Sequence, residues 1–96
     1  MYARTSTWTG SPEALQKWAA HVTGQVAPMV GGLPGVAGAV FLVDHASSAA
    51  MTLTLWDSAE AAAASDEHAE ASRAATVAAT GVELAARGRY EIVARL

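Results

Sequence analysis

The sequence contains no cysteine and no asparagine, and only six of its 96 residues are lysine or arginine. Without cysteine, disulfides, thiolate catalysis and cysteine-ligated metal sites are excluded. A net charge of −3 without a basic block removes the electrostatic basis for binding nucleic acid. The chain also lacks the run of about 18 apolar residues that a membrane span needs, and the N-terminus lacks the apolar segment of a signal peptide. We therefore expect a cytoplasmic protein.

Apolar side chains are abundant, at 52% of the chain, and this exceeds what a disordered protein contains. A chain of this length forms one domain, which we expect to span residues 1–96. The hydrophobic core of so small a domain is modest, and this favours an oligomer.

Hydrophobic periodicity and helix boundary signals predict six elements. Ser11 and Pro12 indicate a helix start, and Pro28 is expected to kink that helix or tighten its last turn. Asp57 and Glu60 predict a capping box for the second helix. The predicted elements are a strand at 2–8, a helix at 11–30, strands at 36–44 and 50–56, a helix at 57–80 and a strand at 82–96.

Three finer features follow from local composition. Residues 36–44 are almost all apolar, which is typical of a strand buried on both faces. Ser65 and Asp66 have poorer helix propensity, so we expect the second helix to break there. We also expect an irregularity in the last strand near Gly88.

The order β-α-β-β-α-β predicts an α+β fold of the ferredoxin-like type, with two helices on one face of a four-stranded antiparallel sheet. The opposite sheet face also needs cover, because the third strand has no strongly polar side: Met51, Leu53 and Leu55 alternate with Thr52, Thr54 and Trp56. We therefore expect a homodimer joined sheet to sheet.

Two motifs and a histidine are similar to features of a known family. Leu33-Pro34-Gly35-Val36 lies between the first helix and the second strand, where that family has a Leu-Pro-Gly-hydrophobic turn. Residues 55–61, with Trp56 followed by a small polar pair and an acidic helix start, match a second motif. His68 lies in the second helix, where members often carry a histidine. The chain thus resembles the antibiotic-biosynthesis-monooxygenase-like family over nearly its whole length.

The resemblance implies a dimeric α+β barrel, and it suggests functional residues. Trp56 is either a pocket wall that orients a planar ring or a packed core residue. His68 is either a general base, since its ordinary pKa is near 6.5, or a solvated residue on a polar helix face. His68 or Tyr2 would transfer the substrate's proton, which makes His68, Trp56 and Tyr2 the candidate catalytic residues.

The candidate substrate-binding residues are Trp8, Arg4 and Arg73. Trp8 would form a second pocket wall, and either arginine would stabilise an oxyanion. We expect no metal site, because the three histidines are far apart and no HxH or HxxxH pair exists.

The function that the resemblance implies is cofactor-independent monooxygenation of a small aromatic, polyketide-like substrate with O2. The alternative is a non-catalytic, small-ligand-binding or stress-related dimer of the same fold, which the alanine-rich second helix favours slightly. A heme-binding or heme-degrading function is disfavoured. Heme-degrading members use an asparagine on the first strand, and this chain has none.

Overall fold

The computed structural model describes residues 1–96 and has the predicted order of strands and helices. The strands are β1 (Tyr2–Thr9), β2 (Val36–Asp44), β3 (Ala49–Trp56) and β4 (Glu83–Glu91), and the helices are α1 (Pro12–His21), α2 (Ala27–Gly31), α3 (Ala59–Ala64) and α4 (Asp66–Thr80). The strands form one antiparallel sheet in the order β2-β3-β1-β4. With the helices packed on one face, this confirms the ferredoxin-like fold. None of the helices is long and apolar enough to cross a membrane.

The first predicted helix is wound in three segments, because a π-helical stretch (Val22–Val26) joins α1 to α2. It begins as predicted: Pro12 is the first helical residue, and Ser11 Oγ accepts a hydrogen bond from the Ala14 N–H at 3.1 Å. Pro28 has no N–H and cannot form the usual i→i−4 bond. In the π segment just before Pro28 the Ala27 N–H donates to the Val22 carbonyl, five residues earlier. This wider turn allows the helix to continue through Pro28.

The second predicted helix breaks at Ser65, as expected, and the break separates α3 from α4. Its predicted cap is wrong by one residue. Ser58, not Asp57, is the N-cap, and its Oγ accepts from the Ala61 N–H at 3.1 Å. The Asp57 N–H donates instead to the Gly35 carbonyl at 2.9 Å, so the backbone of Asp57 belongs to the contact with the preceding turn.

Strand β2 differs from the prediction of burial on both faces. It is an edge strand, and on the face away from the helices Val40 and Leu42 are 45% and 48% exposed. On the helix side Phe41 and Val43 pack against the core. The prediction is therefore wrong for a single chain, because an apolar segment alone does not reveal its place in the strand order.

Strand β4 has an irregularity in the predicted region, shortly before Gly88. The register between β1 and β4 shifts where Thr7 pairs with Ala86 and Trp8 pairs with Leu84, so the extra residue is Ala85. The strand ends at Glu91, short of the predicted end at residue 96.

The core lies between the inner face of the sheet and the helices. Its buried members include Trp8 from β1, Leu15 and Trp18 from α1, and Val82 just before β4. The rings of Trp18 and Phe41 meet edge to face, with centroids 6.4 Å apart. The outer face of the sheet carries a second set of apolar side chains, from β2 and β3: Val40, Leu42, Met51, Leu53 and Leu55.

The Leu-Pro-Gly turn links α2 to β2 and rests on α3. The Val36 N–H donates to the Leu33 carbonyl at 3.4 Å, and Gly35 has a φ of +76°, as the third residue of a type II turn requires. A Cβ atom at Gly35 would lie 2.5 Å from the Cβ of Ala61. The absence of a side chain therefore allows both the backbone conformation and the close approach to α3.

We predict that Gly35→Ala lowers the free energy of unfolding by about 2–4 kcal/mol, since it combines a left-handed conformation with overpacking. Gly31→Ala is the matched control, because Gly31 is helical and has open space around its Cβ position. Urea denaturation should show the control to be neutral, or more stable by up to about 1 kcal/mol. Equal stability of the two variants would contradict this account of the turn.

Candidate active site

A cavity of about 60 Å³ lies between the inner sheet face and the helices. The inner residues of β1 and β3 form one wall, and residues of α1, the π segment, α2 and α4 form the others. Half of its 18 lining residues are hydrophobic, and the rest include hydroxyls, two arginines and a histidine. The mixture of aromatic walls and a few polar groups is typical of a small-molecule site.

Five of the six predicted site residues line this cavity: Arg4, Trp8, Trp56, His68 and Arg73. The fold thus brings side chains that are more than sixty residues apart in the sequence into one site. Tyr2 is half-buried at the start of β1 and is not part of the lining. The geometry therefore does not support a part for Tyr2 in proton transfer. The roles of the five residues that line the cavity stay predictions.

Two of the cavity tryptophans donate hydrogen bonds to threonine hydroxyls of β3. The Trp56 Nε1–H donates to Thr54 Oγ1 at 3.0 Å, and the Trp8 Nε1–H donates to Thr52 Oγ1 at 3.2 Å. Trp56 is only 1% exposed, so it is a buried residue and a cavity wall at once. The two alternatives considered for Trp56 from the sequence are therefore compatible.

A third tryptophan, Trp18, also contributes to the cavity wall, and its indole N–H is buried without a hydrogen-bond acceptor. A buried donor without a partner costs free energy, and such groups are uncommon outside functional sites. Trp18 also belongs to the apolar face of α1, so its place in the sequence alone indicates a core residue.

Arg4 is the central polar group of the site, although its side chain is almost fully buried. Its Nη1 donates to Ser65 Oγ at 2.6 Å, and its Nη2 donates to the Ala62 carbonyl at 2.6 Å and to the carboxylate of Asp66. The guanidinium also lies 5.6 Å from the centroid of the Trp56 ring, in cation–π contact. Burial lowers the pKa of Arg4, and the hydrogen bond and charge of Asp66 oppose this shift.

The helix break at Ser65 supplies the acceptors that Arg4 needs. The Ala62 carbonyl lies in the last turn of α3, where a cation is favoured, and Asp66 begins α4, where a carboxylate is favoured. Asp66 also accepts from Arg89 of β4. Local sequence pattern does not reveal this role of Asp66, because its pairing with Arg4 joins residues 62 positions apart.

Helix α4 presents a polar stripe to the cavity that the sequence analysis did not identify. Ser65, His68, Ser72 and Thr76 recur at helical spacing and all line the cavity. His68 is exposed overall and therefore stands where the cavity meets solvent. The signal was present in the sequence as polar residues three or four positions apart, but the alanines between them obscured it.

The size of the cavity limits what it holds in this conformation. A cavity of roughly 150 Å³ is known to bind benzene, and this one is smaller. A fused-ring molecule therefore requires movement of the walls or extension out of the cavity. No group of three or more histidine, aspartate or glutamate side chains is close enough together to hold a metal ion.

Comparison with known sequences identifies two uncharacterized proteins of Mycobacterium tuberculosis, Rv2557 of strain H37Rv and MT2634 of strain CDC 1551. Each is 36% identical to this chain over 67 residues. The matched region covers 70% of this chain and 30% of each relative, so this chain spans less than a third of their length. No family model matches the sequence.

Comparison with solved structures identifies proteins of the same fold. A monooxygenase from the gene ActVA-Orf6 of Streptomyces coelicolor, in complex with nanaomycin D, has a TM-score of 0.75 and 17% identity, covering 99% of this chain and 89% of its own. SnoaB, a cofactor-independent oxygenase from Streptomyces nogalater, has a TM-score of 0.73 and 13% identity, covering 99% and 95%. The chain therefore has the fold of antibiotic-biosynthesis-monooxygenase-like proteins, and the resemblance seen in the sequence is confirmed at the level of fold.

We predict that Arg4→Lys destabilises the protein by about 2 kcal/mol, because one ammonium nitrogen replaces the two guanidinium nitrogens that donate to three acceptors, and buried groups are left unpaired. Arg95→Lys is the matched control, since Arg95 is exposed and its guanidinium forms only a weak hydrogen bond, to the sulfur of Met1. Chemical denaturation should leave that control within about 0.5 kcal/mol of the native protein. A loss no larger in Arg4→Lys than in the control would refute the anchoring role of Arg4.

Proposed function

We propose that the protein is a monooxygenase that needs no cofactor and oxidises a small aromatic phenol or dihydroquinone with O2. The observation that carries the proposal is one cavity that joins three tryptophan rings, two arginines and a histidine at its mouth. The fold, which is shared with an oxygenase of cofactor-independent type, supports the proposal further.

The proposed reaction demands little chemistry from the protein. Loss of the phenolic proton gives an electron-rich anion, which passes an electron to O2, and the two radicals combine at the para carbon. The resulting peroxide loses water. A phenol with a free para carbon and one O2 thus become a para-quinone and one water, with one oxygen atom in the new carbonyl and the other in the water. The carbon skeleton gives up four electrons, and O2 takes them.

Each residue has a defined task in this proposal. Trp56 and Trp8 hold the ring, since broad aromatic faces orient a planar molecule. Arg4 and Arg73 favour the anion by their charge. His68 accepts the proton, and its position between cavity and solvent allows it to release that proton to water.

The small cavity favours a substrate with one or two rings over a large polyketide, and such a substrate still requires the walls to move. Met29 and Leu33 stand in its wall close to the end of α2. Both side chains are flexible enough to yield, and methionine in particular adapts its shape. A two-ring phenol such as α-naphthol is therefore the appropriate first probe.

We also propose that the protein is a homodimer joined through the outer sheet face. Val40 and Leu42 are large apolar side chains that are about half exposed there, and Leu53 pairs with Val40 on the same face. Burial of such a patch in an aqueous protein requires a partner surface. A second copy would also bury β2 on both faces, as its composition indicates.

The monooxygenase proposal predicts that the protein catalyses oxygen uptake with α-naphthol and that label from isotope-labelled O2 enters the quinone. His68→Ala should lower kcat by about 10²-fold or more, since it removes the base. His45→Ala is the matched control, because His45 lies in the turn between β2 and β3, and it should leave kcat unchanged. Mass spectrometry of the quinone and an oxygen electrode provide the two measurements.

Two results would reject this function. Binding of α-naphthol without oxygen uptake would favour the alternative, a non-catalytic ligand-binding protein of the same fold. Oxygen uptake that yields hydrogen peroxide but no labelled quinone would mean that O2 only accepts electrons from the substrate and that none of its oxygen atoms enters the product.

The dimer proposal predicts a light-scattering mass about twice the 9.8 kDa of the chain. Leu42→Lys should convert the protein to a monomer, because it places a charge in the middle of the outer face. Val77→Lys, at a similarly exposed apolar position on α4, should remain dimeric. A native monomer, or dissociation caused equally by both variants, would contradict the proposed interface.

A further inference from the structure

A polar groove lies between α4 and β4, next to the cavity, and four of the six cationic residues of the chain line it. Its volume is about 360 Å³, and no hydrophobic residue contributes to its lining. The charged groups are Arg4, Arg73, Arg87, Arg89, Asp66 and Glu70. Their formal charges sum to +2, whereas the whole chain carries −3. Positive charge is therefore concentrated at this one place in an acidic protein.

The strand register accounts for part of this concentration. Arg4 of β1 lies directly opposite Arg89 of β4, and like charges in that position are destabilising. The carboxylate of Asp66 accepts hydrogen bonds from both, so a single anion neutralises the pair in part. Arg87, two residues before Arg89 on the same face, lies opposite Ser6.

The remaining two arginines have no carboxylate partner. Neither Arg73 nor Arg87 forms an ion pair or a side-chain hydrogen bond within the protein. Burial lowers the pKa of Arg73, and the charges of Arg87 and Arg4 lower it further, against the opposing effect of Glu70 and Asp66. Two guanidinium groups that repel each other in a groove form an unfavourable arrangement, which an oxyanion between them would relieve.

We propose that Arg73 and Arg87 bind an oxyanion, a carboxylate or a phosphate, carried by the same molecule whose ring occupies the cavity. The inference rests on the proposed function, and it narrows the substrate to an anionic aromatic compound. The groove and the cavity adjoin, since Arg4 and Arg73 line both. A molecule with its ring beside Trp56 can therefore extend its charged substituent into the groove. This extension also provides room that the cavity alone lacks.

Calorimetric titration with matched ligands tests the proposal. The ligands are β-naphthoate, naphthyl phosphate, the neutral naphthamide, and inorganic phosphate without a ring. We expect at least one of the two anionic ring compounds to bind about tenfold more tightly than the amide, as one charge-assisted interaction allows. Inorganic phosphate should bind at least tenfold more weakly than that ligand.

Variants assign the effect to the groove. Arg87→Gln should remove most of the preference for the anion while leaving the affinity for naphthamide unchanged, and Arg87→Lys should retain most of it. Arg87 is exposed, and its side chain forms no ion pair or hydrogen bond that its loss would break. Arg95→Gln changes the net charge equally but lies outside the groove, near Gly38 and Met1, so it should bind like the native protein.

Several outcomes would overturn the inference. Equal affinity for the amide and both anions would mean that the groove binds no substituent, although the ring site and the proposed function would stand. Inorganic phosphate binding as tightly as the ring compounds would mean that the groove takes a free anion. An equal loss of anion preference in Arg87→Gln and Arg95→Gln would mean that the preference comes from the net charge of the protein and not from the groove. Failure of the proposed function is separate: the anion preference would persist while no oxygen is consumed.

Discussion

The buried guanidinium of Arg4 is the interaction on which the rest of the site depends. It joins β1 to the junction of α3 and α4 through Ser65, Ala62 and Asp66, and its central carbon lies over the ring of Trp56. A buried cation is tolerated only when it is paired and hydrogen-bonded. The break in the helix satisfies that condition, because it frees a carbonyl at one helix end and presents a carboxylate at the start of the next. The cavity, the groove and the break are thus parts of one arrangement.

The inner sheet face is unusually polar for a surface that packs against helices, and this is what leaves a site there. Thr52 and Thr54 act as acceptors for the tryptophan N–H groups, so the two rings are fixed in direction. Small hydroxyl residues on α4 oppose them and leave a gap. A core filled with large aliphatic residues would be denser and more stable, but it would have neither a cavity nor polar groups directed at it.

Much of this arrangement follows from the sequence. Alternation in β1 and β3 places Arg4, Trp8 and Trp56 on one face, and the Leu-Pro-Gly turn indicates the fold. Features that depend on tertiary neighbours do not follow from local pattern. The exposure of β2 depends on strand order, the bulge at Ala85 depends on register with β1, and the role of Asp66 depends on two arginines distant in sequence. The predicted helix cap was wrong by one residue because Asp57 and Ser58 are adjacent and both residue types are good N-caps.

The central claim is that an aromatic ring binds between the sheet and the helices, beside Trp56. The most direct test is a proton–nitrogen correlation NMR spectrum recorded while α-naphthol is added under argon, so that binding is seen without turnover. The account predicts the largest shifts at the indole N–H signals of Trp56 and Trp8 and at the side-chain N–H signals of Arg4 and Arg73. Shifts confined to the outer sheet face, around Val40 and Leu42, with the tryptophan signals unmoved, would contradict it.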